Sequence, residues 1–371
     1  MPTRADSTSA SARNAATSSH TESSQPWLPS TSGGAVRPCA DRTTPPDVEG
    51  SHGWLLSVWL LVAAFLALAL VESARVGIPL RDPGGAVFLS RIAMSAGIFV
   101  PLAVIDAWCR TDRGRRDRRT VVATLRGRWP RRRLLLAASG LLAYYVVYFS
   151  YHNLKSWDVL NSPRDTMLLA WDRWLFLGHS PAGLLHDLLG THVAAYVLMG
   201  IYESFSTLVT VAVVASMVLP TRIREGYVFI ASSLWVWILG VGSYYLIPSL
   251  GPFDSDPAQF ADLPHTMVQD TQVRYLGQRA HLLAHPQAGD AFAQVSAFAS
   301  LHVAVTCLLL LMARYYGLRR TSYALAVFLA GTIVATVYLG WHFVVDDIAG
   351  LLIAVVGVAL GRLMVQPRES R

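Results

Sequence analysis

Long apolar stretches recur along the 371-residue chain and are separated by polar or basic segments. About 20 apolar residues wound as an α-helix cross a hydrocarbon core of about 30 Å. The pattern therefore predicts an all-α fold, a polytopic membrane helix bundle with about eight transmembrane helices. The predicted spans are residues 54–71, 88–108, 134–152, 192–219, 227–247, 296–312, 322–341 and 343–364.

The composition agrees with a membrane protein, because 53% of the residues are hydrophobic and only 15% are charged. The formal net charge of +7 would also suit a nucleic-acid partner, but the basic residues are concentrated in one place. Residues 109–133 contain eleven arginines and lie between two predicted spans. Basic loops of this length usually stay on the cytoplasmic side of a membrane. We therefore interpret the charge as a topology signal and expect no nucleic-acid partner.

Placing this loop in the cytoplasm fixes the side of every other loop, because each span crosses the membrane once. Basic residues at the ends of the fourth, sixth and eighth spans then fall on the same side as the loop. These residues are Arg222, Arg224, Arg314, Arg319, Arg320, Arg362 and Arg368. We expect an integral protein of the plasma membrane with both termini in the cytoplasm.

The spans divide the chain into four segments. Residues 1–50 are rich in Ser, Thr, Ala and Pro, and we predict a disordered cytoplasmic tail. Residues 51–133 hold two extra transmembrane helices and the Arg-rich loop, and residues 134–364 form a six-helix core. Residues 365–371 are a second cytoplasmic tail. Within the core, we expect the long outer segment 248–295 to lie over the mouth of the bundle as a loop or lid.

Ionisable side chains in or near the hydrocarbon are candidates for a functional site. His302 opens the sixth predicted span, and His342 and Asp346 lie at the turn between the seventh and eighth. The predicted topology puts all three at outer helix ends. His342 and Asp346, four residues apart, would share a helix face, so that the carboxylate could hold one imidazole nitrogen. The other nitrogen would be a nucleophile, and His302 could donate a proton to a leaving group.

Phosphoryl transfer also needs cations around the phosphate oxygens. Lys155, at the outer end of the third span, is the nearest candidate, with Arg164 close by. Lys155 taken alone could equally be a membrane anchor. Glu203 lies near mid-depth of the fourth span, where it could belong to a polar pocket or form a structural hydrogen bond to Tyr202. Asp347 faces about 100° away from its neighbour on a helix and is predicted to be structural.

The sequences FASLHVA and VYLGWHFVVDDIAG resemble motifs of the type 2 phosphatidic acid phosphatase superfamily, in its inositolphosphotransferase branch. That branch includes the aureobasidin-sensitive inositol phosphorylceramide synthases. The resemblance covers about residues 140–362 and includes the stretches WDRWLFLG and YYLIPSLGPF. It implies that His342 is a nucleophile that forms a phosphohistidine and that Asp346 orients it. It further implies that His302 is the acid for the leaving group and that Ser300 contacts the phosphate.

The chain departs from the family pattern at three motif positions. The first motif has an arginine after its lysine, and here Lys155 is followed after six residues by Ser162. Arg164 is the predicted substitute. The arginine of the third motif is replaced by Thr336, and the proline before SLH by Ala299. The sequence therefore predicts fewer cations around the phosphate than the family pattern has.

We expect an enzyme that needs no metal or other cofactor, a lipid-phosphate phosphatase or phosphotransferase at the outer membrane face. Its substrate would be a phospholipid or isoprenoid phosphate of the cell envelope. The motifs leave open which lipid it takes and whether water or a polyol is the acceptor, and they do not define an oligomeric state. One alternative is an intramembrane metal-dependent hydrolase with His302, His342 and Asp346 as ligands. Another is a non-catalytic lipid transporter or scaffold.

Overall fold

The structure, a computed structural model, describes residues 53–366. The predicted tail 1–50 and nearly all of the predicted tail 365–371 lie outside the described residues. Within residues 53–366 the chain forms thirteen α-helices and no strand. The helices are α1 (Gly53–Val76), α2 (Leu89–Arg110), α3 (Arg118–Arg128), α4 (Arg131–Asp158), α5 (Asp165–Leu175), α6 (Pro181–Leu189), α7 (Val193–Val218), α8 (Ile223–Leu246), α9 (Pro252–Ser255), α10 (Met267–Ala284), α11 (Leu301–Tyr315), α12 (Arg319–Tyr338) and α13 (Val344–Val365).

Seven of the helices in the described part of the chain, α1, α2, α4, α7, α8, α12 and α13, are long and apolar enough to cross a membrane. The sixth predicted span, 296–312, corresponds to the shorter apolar helix α11, which has 15 residues. It begins at Leu301 and not at residue 296, because residues 296–300 are not helical. Their backbone N–H groups do not bond to carbonyls of the same segment: Ala299 N, for example, donates to Ser243 Oγ of α8 at 2.9 Å.

Helix α8 occupies the centre of the bundle. Of its most apolar window, 72% of the residues are buried, against 11% for α2 at the periphery. Helices α4, α7, α11 and α13 surround α8. A Cβ atom at Gly361 of α13 would overlap Ser232 of α8, so the two backbones lie close together. Close approach at small residues is typical of helix pairs in membranes.

The spanning helices alternate in direction and define two ends of the bundle. We call the end where α11 and α13 begin the site end, and the opposite end the basic end. At the basic end, Arg133 donates to the carbonyls of Pro220 and Thr221, just beyond α7. Arg128 donates to the same two carbonyls and also pairs with Asp106 of α2. These arginines supply donors to carbonyls near a helix C-terminus that have no partner within the helix.

The extra helices α1 and α2 are docked to the core through their connection. Asp82 accepts a hydrogen bond from Val87 N at 2.7 Å and organises the turn that precedes α2. The backbone N–H of Arg81 donates to Asn153 Oδ1 of α4 at 2.7 Å. The Arg81 guanidinium donates to the carbonyl of Ala291, in the segment that leads to α11. The connection therefore joins the extra pair of helices to two parts of the core at the site end.

Candidate active site

The structure brings His302 and His342 together, although they are 40 residues apart in the sequence. Their ring centroids are 6.0 Å apart. His302 is the second residue of α11, and His342 lies in the connection between α12 and α13. Ser300 N donates to Asp346 O at 3.0 Å, which ties the start of α11 to the start of α13. Two helix starts at the site end therefore hold the two imidazoles side by side.

Asp346 is the nearest carboxylate to the Nδ1 atom of His342. The distance from Nδ1 to Oδ2 is 3.5 Å, and the same Oδ2 accepts from Phe343 N at 2.9 Å. The expectation that both residues share a helix face is wrong, because α13 begins at Val344, after His342. The chain instead folds back, since the N–H groups of Trp341 and His342 both donate to Thr336 O. This turn, and not helical periodicity, brings the imidazole to the carboxylate.

Helix α5 positions the site through two carboxylates that the sequence analysis did not single out. Asp172 accepts from Val344 N at 2.9 Å and from Val345 N at 3.1 Å, at the start of α13. Asp165 accepts from Gly251 N at 2.9 Å, in the loop after α8. Burial raises the pKa of both carboxyl groups, and the hydrogen bonds from backbone N–H groups partly oppose that rise. The sequence did hold a signal for these two residues, because positions seven apart lie on one face of a helix such as α5.

A cavity of about 290 Å³ adjoins the two histidines, and the predicted residues Lys155 and Glu203 line it with them. Tyr202 stacks on His302 at 4.3 Å between ring centroids, and on Trp341 at 5.6 Å. The other aromatic residues of the lining are Tyr148, Tyr151, Phe205, Trp237, Tyr244 and Tyr275. The cavity therefore combines an aromatic wall with ionisable groups from several helices.

Two predicted phosphate-binding residues do not line this cavity. The Arg164 side chain is exposed, and its backbone N–H donates to Pro248 O at 2.7 Å. Ser300 is fully buried as the N-cap of α11, where its Oγ faces Val303 N. The motif position Thr336 is also buried, and its hydroxyl donates to Asp347 Oδ2 at 2.9 Å. Arg164 is exposed outside the cavity lining, and Ser300 and Thr336 contact neighbouring protein groups. The role predicted for Asp347 as a structural residue agrees with this contact.

The sequence analysis missed three basic residues of the cavity lining: Arg91 on α2, His152 on α4 and Arg274 on α10. Arg91 and Arg274 lie outside the motifs that carry the family resemblance. The sequence did hold a signal for Arg91, which is the only basic residue within the predicted span 88–108. An ionisable residue inside a span is a functional candidate by default.

Three buried nitrogen atoms of lining residues have no hydrogen-bond partner within the described residues: His152 Nδ1, Trp341 Nε1 and His342 Nδ1. Buried polar groups normally have a partner, so the His152 and Trp341 atoms suit a cavity that receives a polar ligand, whereas His342 Nδ1 lies 3.5 Å from Asp346 Oδ2. No group of three His, Cys, Asp or Glu side chains among residues 53–366 is arranged to hold a metal ion. The donor set required by the metal-dependent alternative is therefore not assembled there.

A family model described as the PAP2 superfamily matches residues 166–360, which is more than half of the chain. The protein belongs to the PAP2 superfamily. This membership supports a phosphatase-type enzyme, and it agrees with the helical bundle and its apolar helices. The matched region contains His302, His342 and Asp346, whereas Lys155 and Arg91 precede it. Comparisons with curated proteins and with solved structures give no match.

Proposed function

We propose that this protein is a lipid-phosphate phosphatase or phosphotransferase that acts through a phosphohistidine on His342. The observation that carries the proposal is the pairing of His302 with His342 at 6.0 Å beside a cavity that Lys155 lines. A nucleophile, an acid and a cation at one cavity are the groups that phosphoryl transfer uses. Membership of the PAP2 superfamily supports the general reaction class.

In the first step, His342 attacks the phosphate. Asp346, at 3.5 Å from Nδ1, favours the tautomer with the proton on Nδ1, so that Nε2 carries the lone pair. Nε2 forms a bond to phosphorus while the ester P–O bond breaks. His302 gives a proton to the departing oxygen, which leaves as a lipid alcohol. Lys155 balances charge on the phosphate oxygens.

In the second step, an acceptor hydroxyl attacks the phosphohistidine. The hydroxyl gives its proton to His302, its oxygen bonds to phosphorus, and the P–N bond to His342 breaks. Water as acceptor yields inorganic phosphate, whereas a polyol yields a polyol phosphate, a phosphomonoester. We favour water, because exposed Glu203 and Arg274 lie in the cavity wall and give solvent access to the site.

The basic end supports an orientation for the proposed enzyme. Arg-rich loops of spanning proteins stay in the cytoplasm, and α3 and its flanks are at the basic end. The site end then faces the outside of the plasma membrane. The substrate we propose is a phospholipid or isoprenoid phosphate in the outer leaflet, which would bring its phosphate to the cavity while its chains stay in the bilayer.

A panel of lipid phosphates tests the proposal, assayed in detergent with excess chelator and with or without inositol. We expect phosphate release by the wild type, and a loss of about 10³-fold or more in His342→Ala. His265→Ala is the matched control, because His265 is an exposed histidine of the segment between α8 and α11 that does not line the cavity. Full turnover in His342→Ala would contradict the mechanism. Formation of inositol phosphate in place of free phosphate would identify a transferase.

A further inference from the structure

Three cations line the cavity, and two of them come from outside the family motifs. Lys155 belongs to the first motif, whereas Arg91 lies on the extra helix α2 and Arg274 on α10. Glu203 is the one carboxylate residue of the lining in the described part of the chain. The charge balance of the cavity therefore favours an anion, although the motif positions Ser162 and Thr336 carry no charge.

Arg91 is held in place by the docking of α2. Its Nη1 atom donates to Ser206 Oγ of α7 at 3.3 Å. Ser95, one turn further along α2, contacts the hydroxyl of Tyr145 on α4 at 2.5 Å. The start of α2 is fixed by Asp82, which accepts from the N–H groups just before the helix. The Arg91 guanidinium is therefore joined to α7 and lines the cavity, on a helix that is also joined to α4.

Arg274 is held by the docking of α10 over the turn that contains His342. Gln272 Nε2 donates to Leu339 O at 2.9 Å, which joins α10 to the connection between α12 and α13. Tyr275 packs on Trp341 with 5.8 Å between ring centroids. The Arg274 guanidinium lies 5.6 Å from the Tyr275 ring, and its Nη2 donates to Thr271 Oγ1. Arg274 therefore lies beside Tyr275, which packs on the residue that precedes His342.

We infer that Arg91 and Arg274, together with Lys155, form the binding site for the anionic phosphate group of the substrate. The inference rests on the proposed function, which it extends by assigning the cations that the motif positions lack. Arginine is suited to this task, because its planar guanidinium can donate two parallel hydrogen bonds to phosphate oxygens. The indole N–H of Trp341, which has no partner within residues 53–366, supplies a further donor in the same cavity. Helix α2 then contributes to substrate binding through Arg91, in addition to crossing the membrane.

Inhibition by inorganic vanadate, a phosphate mimic, tests the inference. We expect Arg91→Gln and Arg274→Gln each to raise the vanadate inhibition constant and the KM for a lipid phosphate about tenfold or more. Arg91→Lys should recover part of the loss, because it keeps the charge without the planar geometry. Arg75→Gln is the matched control, since Arg75 lies at the same end of the bundle, pairs with Glu72 and does not line the cavity.

The outcomes separate this inference from the proposed function. If the wild type is active and both glutamine variants keep inhibition constants within about twofold of its value, the inference is overturned. If the wild type turns over no lipid phosphate, the proposed function fails. Direct calorimetric titration with vanadate then decides the inference: weaker binding in the variants supports it, and equal binding overturns it. Should Arg91→Gln fail to fold, Arg274→Gln carries the test, because that side chain is exposed on α10.

Discussion

Replacement of Gly251 by alanine should disable the site while it leaves the bundle folded. Gly251 lies in the loop after α8, where it passes the turn that carries His342, and its φ angle is +113°. A Cβ atom there would be 2.6 Å from Trp341 O, whereas ordinary contacts begin at 3.4 Å. The loop and the turn must therefore separate by about 0.8 Å. His342 follows Trp341 directly, so the nucleophile moves with the turn.

The expected loss of turnover follows from this displacement. A misplacement of about 1 Å at a reacting group can lower the rate about 10²-fold. The backbone of Gly251, with φ +113° and ψ +168°, lies in a region essentially restricted to glycine, so alanine adds about 1–3 kcal/mol of strain. We therefore expect Gly251→Ala to lose about two orders of magnitude in kcat for a lipid phosphate, with a moderate fall in thermal stability.

Gly178→Ala separates backbone strain from displacement. Gly178 also has a positive φ angle, +93°, but a Cβ atom there would have no neighbour within 4 Å. Both variants should lose stability through backbone strain in a detergent unfolding assay, Gly251→Ala the more because of its overlap with Trp341 O, and only Gly251→Ala should lose turnover. If the two variants keep the same kcat, the position of the 340–342 turn does not control the chemistry, and the reasoning is refuted.

Three further predictions concern the groups around the histidines. Asp172→Ala should lower the free energy of unfolding by about 1–2 kcal/mol and reduce kcat, because two N–H groups at the start of α13 lose their acceptor. Asp254→Ala, which removes an exposed carboxylate, should change neither quantity. His302→Gln should slow hydrolysis of lipid phosphates about 10²-fold or more, yet affect p-nitrophenyl phosphate much less, because that leaving group needs no proton. Equal losses on both substrates would exclude His302 as the acid. Excess chelator should leave turnover within about twofold of the untreated enzyme, and a larger loss that a divalent metal restores would favour metal-dependent hydrolysis.

Apolar periodicity predicted the helices of this protein because bilayer thickness fixes the length of most spans. The exception is instructive. Residues 296–300 belong to the predicted span 296–312, but the hydroxyls of Ser243 and Ser249 and the carbonyl of Ser249 accept the N–H groups of residues 297–299. A helix start can thus be decided by partners on another helix, and such partners are invisible in a single stretch of sequence.

The residues of the candidate site also differ in how far the sequence alone could predict their positions. The expectation that His302 and His342 meet needed only the order of the spans, because both occupy helix starts at one end. Arg91 and Arg274 depend on how α2 and α10 dock, which no local pattern specifies. Arg164 was a candidate through its neighbours in the sequence, but its side chain is exposed at the N-cap of α5. The order of the motifs was therefore enough to predict that the two histidines meet, whereas the arginines of the cavity depend on tertiary contacts.

The shortness of α11 has a consequence for the depth at which a lipid would react. Its 15 residues rise about 22 Å, roughly 8 Å less than the hydrocarbon thickness. Non-helical chain precedes α11, and two of its amide groups are paired with other helices: Ala293 N donates to Ser156 Oγ of α4, and Ala299 N to Ser243 Oγ of α8. We therefore expect the histidines to lie in a depression below the plane of the neighbouring headgroups. A lipid could enter it by a small inward movement of its polar end, without being extracted from the leaflet.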